Sequence, residues 1–227
     1  MVNKLKRLTI YTGNLGSGKT EVAVNTALSL MRLGKRAVLV DLDIINPYFR
    51  TRMVRGQLEE MGLEVVSPQG RFSHADLPNV SPAIKGVFLN REFTGVFDVG
   101  GDDVGAVALG QYRELLDGQD YQMLFVINTC RPFTRSPEGI IKYIKSIQDA
   151  CGIMVSGLVN NANLGSETGL DTVLEGFSMV SGVAKTLGLP VSFTAVRRGL
   201  LDEARRALGE EADILPLEKF MKTPWES

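Results

Sequence analysis

Short apolar runs alternate with longer stretches of helical periodicity along the whole chain. Runs such as Ala37-Val38-Leu39-Val40 and Met123-Leu124-Phe125-Val126-Ile127 are continuously apolar, which is how strands read when helices cover both faces of a sheet. The pattern predicts strands near 7–12, 36–42, 63–66, 94–98, 121–127, 153–159 and 190–194, and Ile214–Leu217 suits a short edge strand. Helices are predicted near 18–33, 48–62, 83–91, 104–117, 136–150, 169–187 and 197–208. Regular β–α alternation implies a three-layer α/β fold with a mostly parallel sheet, read here as a single domain over 1–227. Such sheets bind ligands at the carboxyl ends of their strands. The least regular part, Ser67 to Pro82, carries Pro68, Gly70, Pro78 and Pro82 and is expected to be a long surface loop.

The first strand and first helix are joined by Gly13-Asn14-Leu15-Gly16-Ser17-Gly18-Lys19-Thr20, which reads G-x-x-x-x-G-K-T. Strand, glycine loop and helix start form the context in which this pattern cradles phosphate. Glycines let the backbone wrap an anion, its N–H groups point inward, and the helix N-terminus adds positive potential. Lys19 is expected at the β- and γ-phosphates, the Thr20 hydroxyl on Mg²⁺, and Glu21 at the nucleotide edge of the helix. The competing reading is a glycine-rich turn with an incidental lysine.

Two acidic clusters follow later strands. The second strand ends Asp41-Leu42-Asp43, and a later one ends Asp98-Val99-Gly100-Gly101-Asp102-Asp103. A carboxylate at the end of a strand beside the phosphate loop holds Mg²⁺ directly or through water, which suits Asp98. The glycines after it allow a loop to move against a γ-phosphate.

These motifs, in this order, resemble the MinD/ParA/nitrogenase-iron-protein branch of P-loop NTPases, the CobQ/CobB/MinD/ParA nucleotide-binding domain. The resemblance rests on the phosphate loop, on Gly34–Asp43 with Asn46-Pro47 after it, and on Asp98-Val99-Gly100-Gly101-Asp102. It is firm over about the first hundred residues. It implies an ATP-driven switch in which Asp43 positions or activates the attacking water, with Thr20, Asp43 and Asp98 around Mg²⁺ and Gly100 in a second switch. One position departs: the family often carries a lysine directly after the first glycine, reaching across a dimer, and this chain has Asn14. Arg50, Arg52 and Arg131 are candidates to replace that cation.

The base is expected at Asn160-Asn161-Ala162-Asn163, after the 153–159 strand. GTPases use N-K-x-D at this kind of position, where a carboxylate accepts from guanine. An Asn amide serves adenine instead, so ATP is the expected nucleotide, with Mg²⁺.

Composition narrows the function classes. Net charge is −1 with no long basic run, so bulk charge gives no signal for nucleic acid. No apolar run approaches the ~20 residues of a membrane span. The basic start, Met1 to Arg7, leads directly into the first strand and lacks the apolar stretch of a signal peptide. The two cysteines, Cys130 and Cys151, form no C-x-x-C, and His74 is the sole histidine, so a metal relay or disulfide framework is not indicated and the cytoplasm is the expected home. The leading expectation is an ATPase switch acting on a protein partner or a homodimer. The alternatives are an ATP-dependent synthetase or amidoligase and a nucleotide-binding regulatory subunit with negligible turnover.

Overall fold

A computed structural model describes residues 1–42, 51–67, 81–209 and 211–221. Its eight strands are β1 (Leu8–Thr12), β2 (Arg36–Leu42), β3 (Glu64–Val66), β4 (Phe93–Val99), β5 (Tyr121–Ile127), β6 (Gly157–Asn160), β7 (Val191–Arg197) and β8 (Ile214–Leu217). They form one sheet in the order β3-β2-β4-β1-β5-β6-β7-β8. Every pairing is parallel. The helices are α1 (Lys19–Arg32), α2 (Thr51–Glu60), α3 (Pro82–Leu89), α4 (Asp103–Gly110), α5 (Arg113–Leu116), α6 (Pro137–Cys151), α7 (Leu170–Leu187) and α8 (Leu201–Leu208).

The period-2 alternation of strand side chains divides the core between two faces. Leu8, Ile10, Val38 and Val40 pack with Ile84, Phe88, Leu109, Ile144 and Val180 from α3, α4, α6 and α7. Tyr11, Leu39 and Val96 pack on the other face against Val22, Ala23, Ala27 and Leu58 from α1 and α2. Both faces are therefore covered, which explains the continuously apolar strands. β1 lies between β4 and β5, so the loops that follow these three strands emerge side by side.

Three elements differ from their sequence reading. The predicted strand over 153–159 enters the ladder only at Gly157, although Ile153 and Val155 are buried in the core. The backbone N–H of Val155 is taken by the Gln148 side chain at 2.8 Å rather than by a neighbouring strand. The helix predicted over 104–117 divides into α4 and α5, with Gly110 close against the Cys151 carbonyl. The helix predicted from 197 begins at Leu201, because β7 continues to Arg197 and a 3₁₀ turn intervenes at Arg198–Leu200. The expected loop over 67–82 lies mostly outside the described residues, and Ser81 already precedes α3. His74 and Trp225 also lie outside them.

Candidate phosphate-binding site

Residues 13–18 connect the carboxyl end of β1 to α1, in the middle of the sheet. Gly18 caps α1 with φ 79°. That left-handed conformation favours glycine, and a Cβ there would collide with the Asn161 amide nitrogen. Lys19 and Thr20 open the helix and are buried, at 1% and 5% exposure. A buried ammonium at a helix N-terminus, where positive potential already gathers, makes a place for an anion.

The strands β4, β5 and β6 each contribute one loop to the rim. From β4 comes Gly100-Gly101-Asp102, and a Cβ on Gly101 would stand 2.9 Å from the Asn14 carbonyl carbon and 3.0 Å from the Leu15 nitrogen. Only glycine allows this backbone-on-backbone approach. Asp102 caps α4 by accepting from the Gly105 N–H at 2.9 Å, a favourable N-cap geometry. From β5 comes Arg131, whose Nε donates to the Gly16 carbonyl at 3.1 Å. From β6 comes Asn161, whose buried amide donates to the Ser17 carbonyl at 2.7 Å.

Asp98 is fully buried and pairs in register with Tyr11 of β1 and Asp41 of β2. Alternation along β4 and β2 directs both aspartates to the face that α1 covers. Asp43 lies outside the described residues, as does Arg50. Among the described residues, no three His, Cys, Asp or Glu side chains converge on a metal position. A Mg²⁺ ion here would be held by Thr20 and Asp98 together with phosphate oxygens.

The loop fits a polyphosphate on its own chemistry. Asn14 is 1% exposed, and neither polar atom of its side chain has a hydrogen-bond partner among the described residues. The Thr12 hydroxyl, at the end of β1, and the Ser17 hydroxyl, on the loop, are also buried without one. Orphaned buried polar groups cost about 1–3 kcal/mol each, so a polar ligand at this loop has something to satisfy.

The asparagines after β6 divide into different roles. Asn160 is fully buried, with its amide donating to the Val173 carbonyl at 3.1 Å and its oxygen accepting from the Ala162 N–H at 3.2 Å. It braces β6 against α7. The Asn163 amide is engaged with the Asn161 carbonyl at 2.8 Å. Asn128, which the sequence reading did not single out, joins the loops after β5 and β6. Its amide donates to the Asn163 carbonyl at 3.0 Å, and its oxygen accepts from the N–H groups of Cys130 and Asn163, each at 3.1 Å. A polar residue directly after the apolar run of β5 was the available signal. Tyr143 is a second such residue, donating to the Gly101 carbonyl at 2.8 Å.

Glu21 is engaged by the chain that follows β8. Its carboxylate accepts from the backbone N–H groups of Phe220 and Met221, at 2.9 and 2.6 Å. Burial pushes its pKa up, partly offset by those two donors and by Lys219. One turn later the Asn25 side chain exchanges two hydrogen bonds with the Glu218 backbone, at 2.8 and 2.9 Å. Burial also raises the Cys151 thiol, and Cys130 is half-buried. A separate cleft of about 650 Å³, lined by Met1, Arg205, Arg206 and Asp213, lies at the amino end of β8 and shares no residue with the phosphate loop. In a parallel sheet that is the wrong end for the ligand.

No protein-family model matches the sequence, and no curated protein matches it. Solved structures do. FtsY from Thermotoga maritima superposes with a TM-score of 0.57 at 19% identity, covering 94% of this chain and 64% of that one. Chloroplast FtsY from Physcomitrella patens gives 0.56 at 17% identity, covering 82% and 57%. The 54 kDa signal recognition particle protein from Aeropyrum pernix K1, solved with GDP, gives 0.51 at 16% identity, covering 82% and 40%. The fold is that of a P-loop NTPase. The chain spans less than two thirds of the length of each of these structures. No helix among the described residues is long and apolar enough to cross a membrane.

Proposed function

We propose that the chain is a Mg²⁺-dependent ATP-binding switch of the MinD/ParA kind that hydrolyses ATP slowly and signals its nucleotide state to a protein partner. The observation that carries this reading is the phosphate loop itself, with buried Lys19 at the start of α1, orphaned polar atoms on Asn14 and Ser17, and Asp98 on the adjacent strand. Lys19, Thr20, the loop N–H groups and Asp98 would hold the phosphates and Mg²⁺. When bound, the metal supplies charge neutralisation on the phosphates. The protein contributes position and fixed dipoles. Asp43 is assigned the orientation of the attacking water.

The partner reading rests on the rim. Leu15 on the phosphate loop, Val104 and Val107 on α4, and Phe133 and Leu164 after β5 and β6 are 51–69% exposed. Clustered exposed apolar side chains mark interaction surfaces. A surface on the elements that follow β1, β4, β5 and β6 would respond to nucleotide state.

GTP is the second reading, because the signal recognition particle structure with the same fold holds GDP. Against it, Asn160, Asn161 and Asn163 offer no carboxylate to guanine. Their amides already bond within the protein, so they do not read adenine as the sequence led one to expect, and the preference for ATP rests on the missing carboxylate alone. Equilibrium titration with fluorescent ATP and GTP, each with Mg²⁺ and each competed by the other unlabelled nucleotide, tests both. Tighter ATP binding supports the assignment. Tighter GTP binding replaces it, and binding of neither removes the nucleotide reading altogether.

A further inference from the structure

We infer that Arg131 is a ligand for the terminal phosphates of a bound nucleoside triphosphate, supplied within the same chain. The inference rests on the nucleotide reading above. Its first support is what stands at position 14. Asn14 carries no charge, and its side chain is buried where Gly101 closes over the loop backbone. It cannot extend a cation to phosphate, in this chain or across to another. A polyphosphate tail carries three to four negative charges, and Lys19 is the one cation of the loop itself.

Arg131 is placed to add a second. Around the phosphate loop, Gly18 faces the Asn161 and Asn163 amides, Gly16 faces the Arg131 guanidinium, and the Gly13–Leu15 backbone faces Gly101. The expected base loop and the glycines after β4 thus flank Arg131, in keeping with the strand order β4-β1-β5-β6. A phosphate tail running along the loop from Asn161 toward Gly101 would pass Arg131 between the two.

The backbone that carries the exposed guanidinium is also fixed. The Arg131 N–H donates to the Asn128 carbonyl at 3.1 Å, and the same carbonyl accepts from the buried Thr134 hydroxyl at 2.7 Å. The Thr134 N–H returns to the Arg131 carbonyl at 3.1 Å. One of the five guanidinium N–H donors is used, on Gly16. Among the described residues, no protein acceptor takes the other four, and no carboxylate forms an ion pair with Arg131. A guanidinium fork with two free terminal nitrogens matches the geometry of phosphate oxygens.

The test compares diphosphate with triphosphate. Fluorescent ADP and GDP, and their β,γ-imido triphosphate analogues, are titrated with Mg²⁺ into the full chain, Arg131→Gln and Arg131→Lys. In Arg131→Gln, triphosphate affinity should fall about 10-fold or more, the size of a lost charge-assisted contact, while diphosphate affinity stays within about 2-fold. Arg131→Lys should recover part of the loss, since a point charge remains without the fork. Independently of any variant, the ¹⁵Nε–H resonance of Arg131 in the unmodified chain should shift with triphosphate and stay near its place with diphosphate. Equal losses for both nucleotides would make Arg131 a brace for the loop and overturn the inference, as would unchanged binding or an unmoved Nε resonance. If the unmodified chain binds neither nucleotide, the nucleotide reading fails and this one with it.

Discussion

The Tyr143 hydroxyl donates to the Gly101 carbonyl across 2.8 Å and 42 residues of sequence. It ties α6 to the loop that closes over the phosphate loop. The Tyr143 ring is itself packed, with the Phe125 and Phe133 rings centred 6.3 and 6.4 Å away. Gly101 is thus gripped from one side while its backbone rests on Asn14 from the other.

Removing only the hydroxyl isolates that grip. Tyr143→Phe should lower stability by about 1 kcal/mol, the net worth of one such bond, in urea unfolding. Amide exchange at 100–102 should accelerate more than exchange in β5, because the bond restrains the loop rather than the sheet. Uniform acceleration everywhere would mean that only global stability had changed.

Lys19→Ala should abolish tight nucleotide binding while leaving a folded chain. The substitution removes a buried charge at the head of α1 and adds no bulk. Circular dichroism and fluorescent ATP titration check the two halves together. Unchanged affinity in a folded variant contradicts the phosphate-site assignment.

Asp43→Asn should bind ATP about as well as the unmodified chain but hydrolyse it about 10²–10⁴-fold more slowly, the usual contribution of a water-orienting or proton-accepting group. Single-turnover hydrolysis, with binding measured separately, decides the matter. Equal rates remove Asp43 from catalysis.

Glu21 sets a pH dependence. Burial raises its pKa in the folded chain above the unfolded value. Its contribution to stability is therefore fully present below the ordinary glutamate range and is lost as pH rises through the raised value. Glu21→Gln retains an oxygen for the Phe220 and Met221 N–H groups and has no proton to lose. The stability difference, unmodified minus Glu21→Gln, should fall with rising pH across that window and level off above it. A difference that grows with pH contradicts the assignment.

Much of this arrangement is written locally. The phosphate loop is contiguous, and its glycines, lysine and threonine declare themselves by spacing. The strands declare themselves because apolar runs with helices on both faces leave no polar alternation to misread. What the sequence concealed is what the fold brings from a distance. Asn128 and Asn163 are 35 residues apart, and Gly101 and Tyr143 are 42 apart. Neither pair has a spacing signal, since only the parallel sheet makes their loops neighbours. Ile153 and Val155 misled for a different reason. They are buried like strand residues, but the Gln148 side chain takes the backbone N–H of Val155 that a ladder would have used.

The helix that begins at Lys19 is completed by backbone from residues 218–221, held through Glu21 and Asn25. On the ribosome the glycine loop emerges before the segment that encloses its helix. The segment that covers its helix is made about two hundred residues later. α1 is therefore enclosed only after synthesis has passed residue 221. Deletion of 218–221 should therefore be felt at the phosphate loop, about two hundred residues away in sequence.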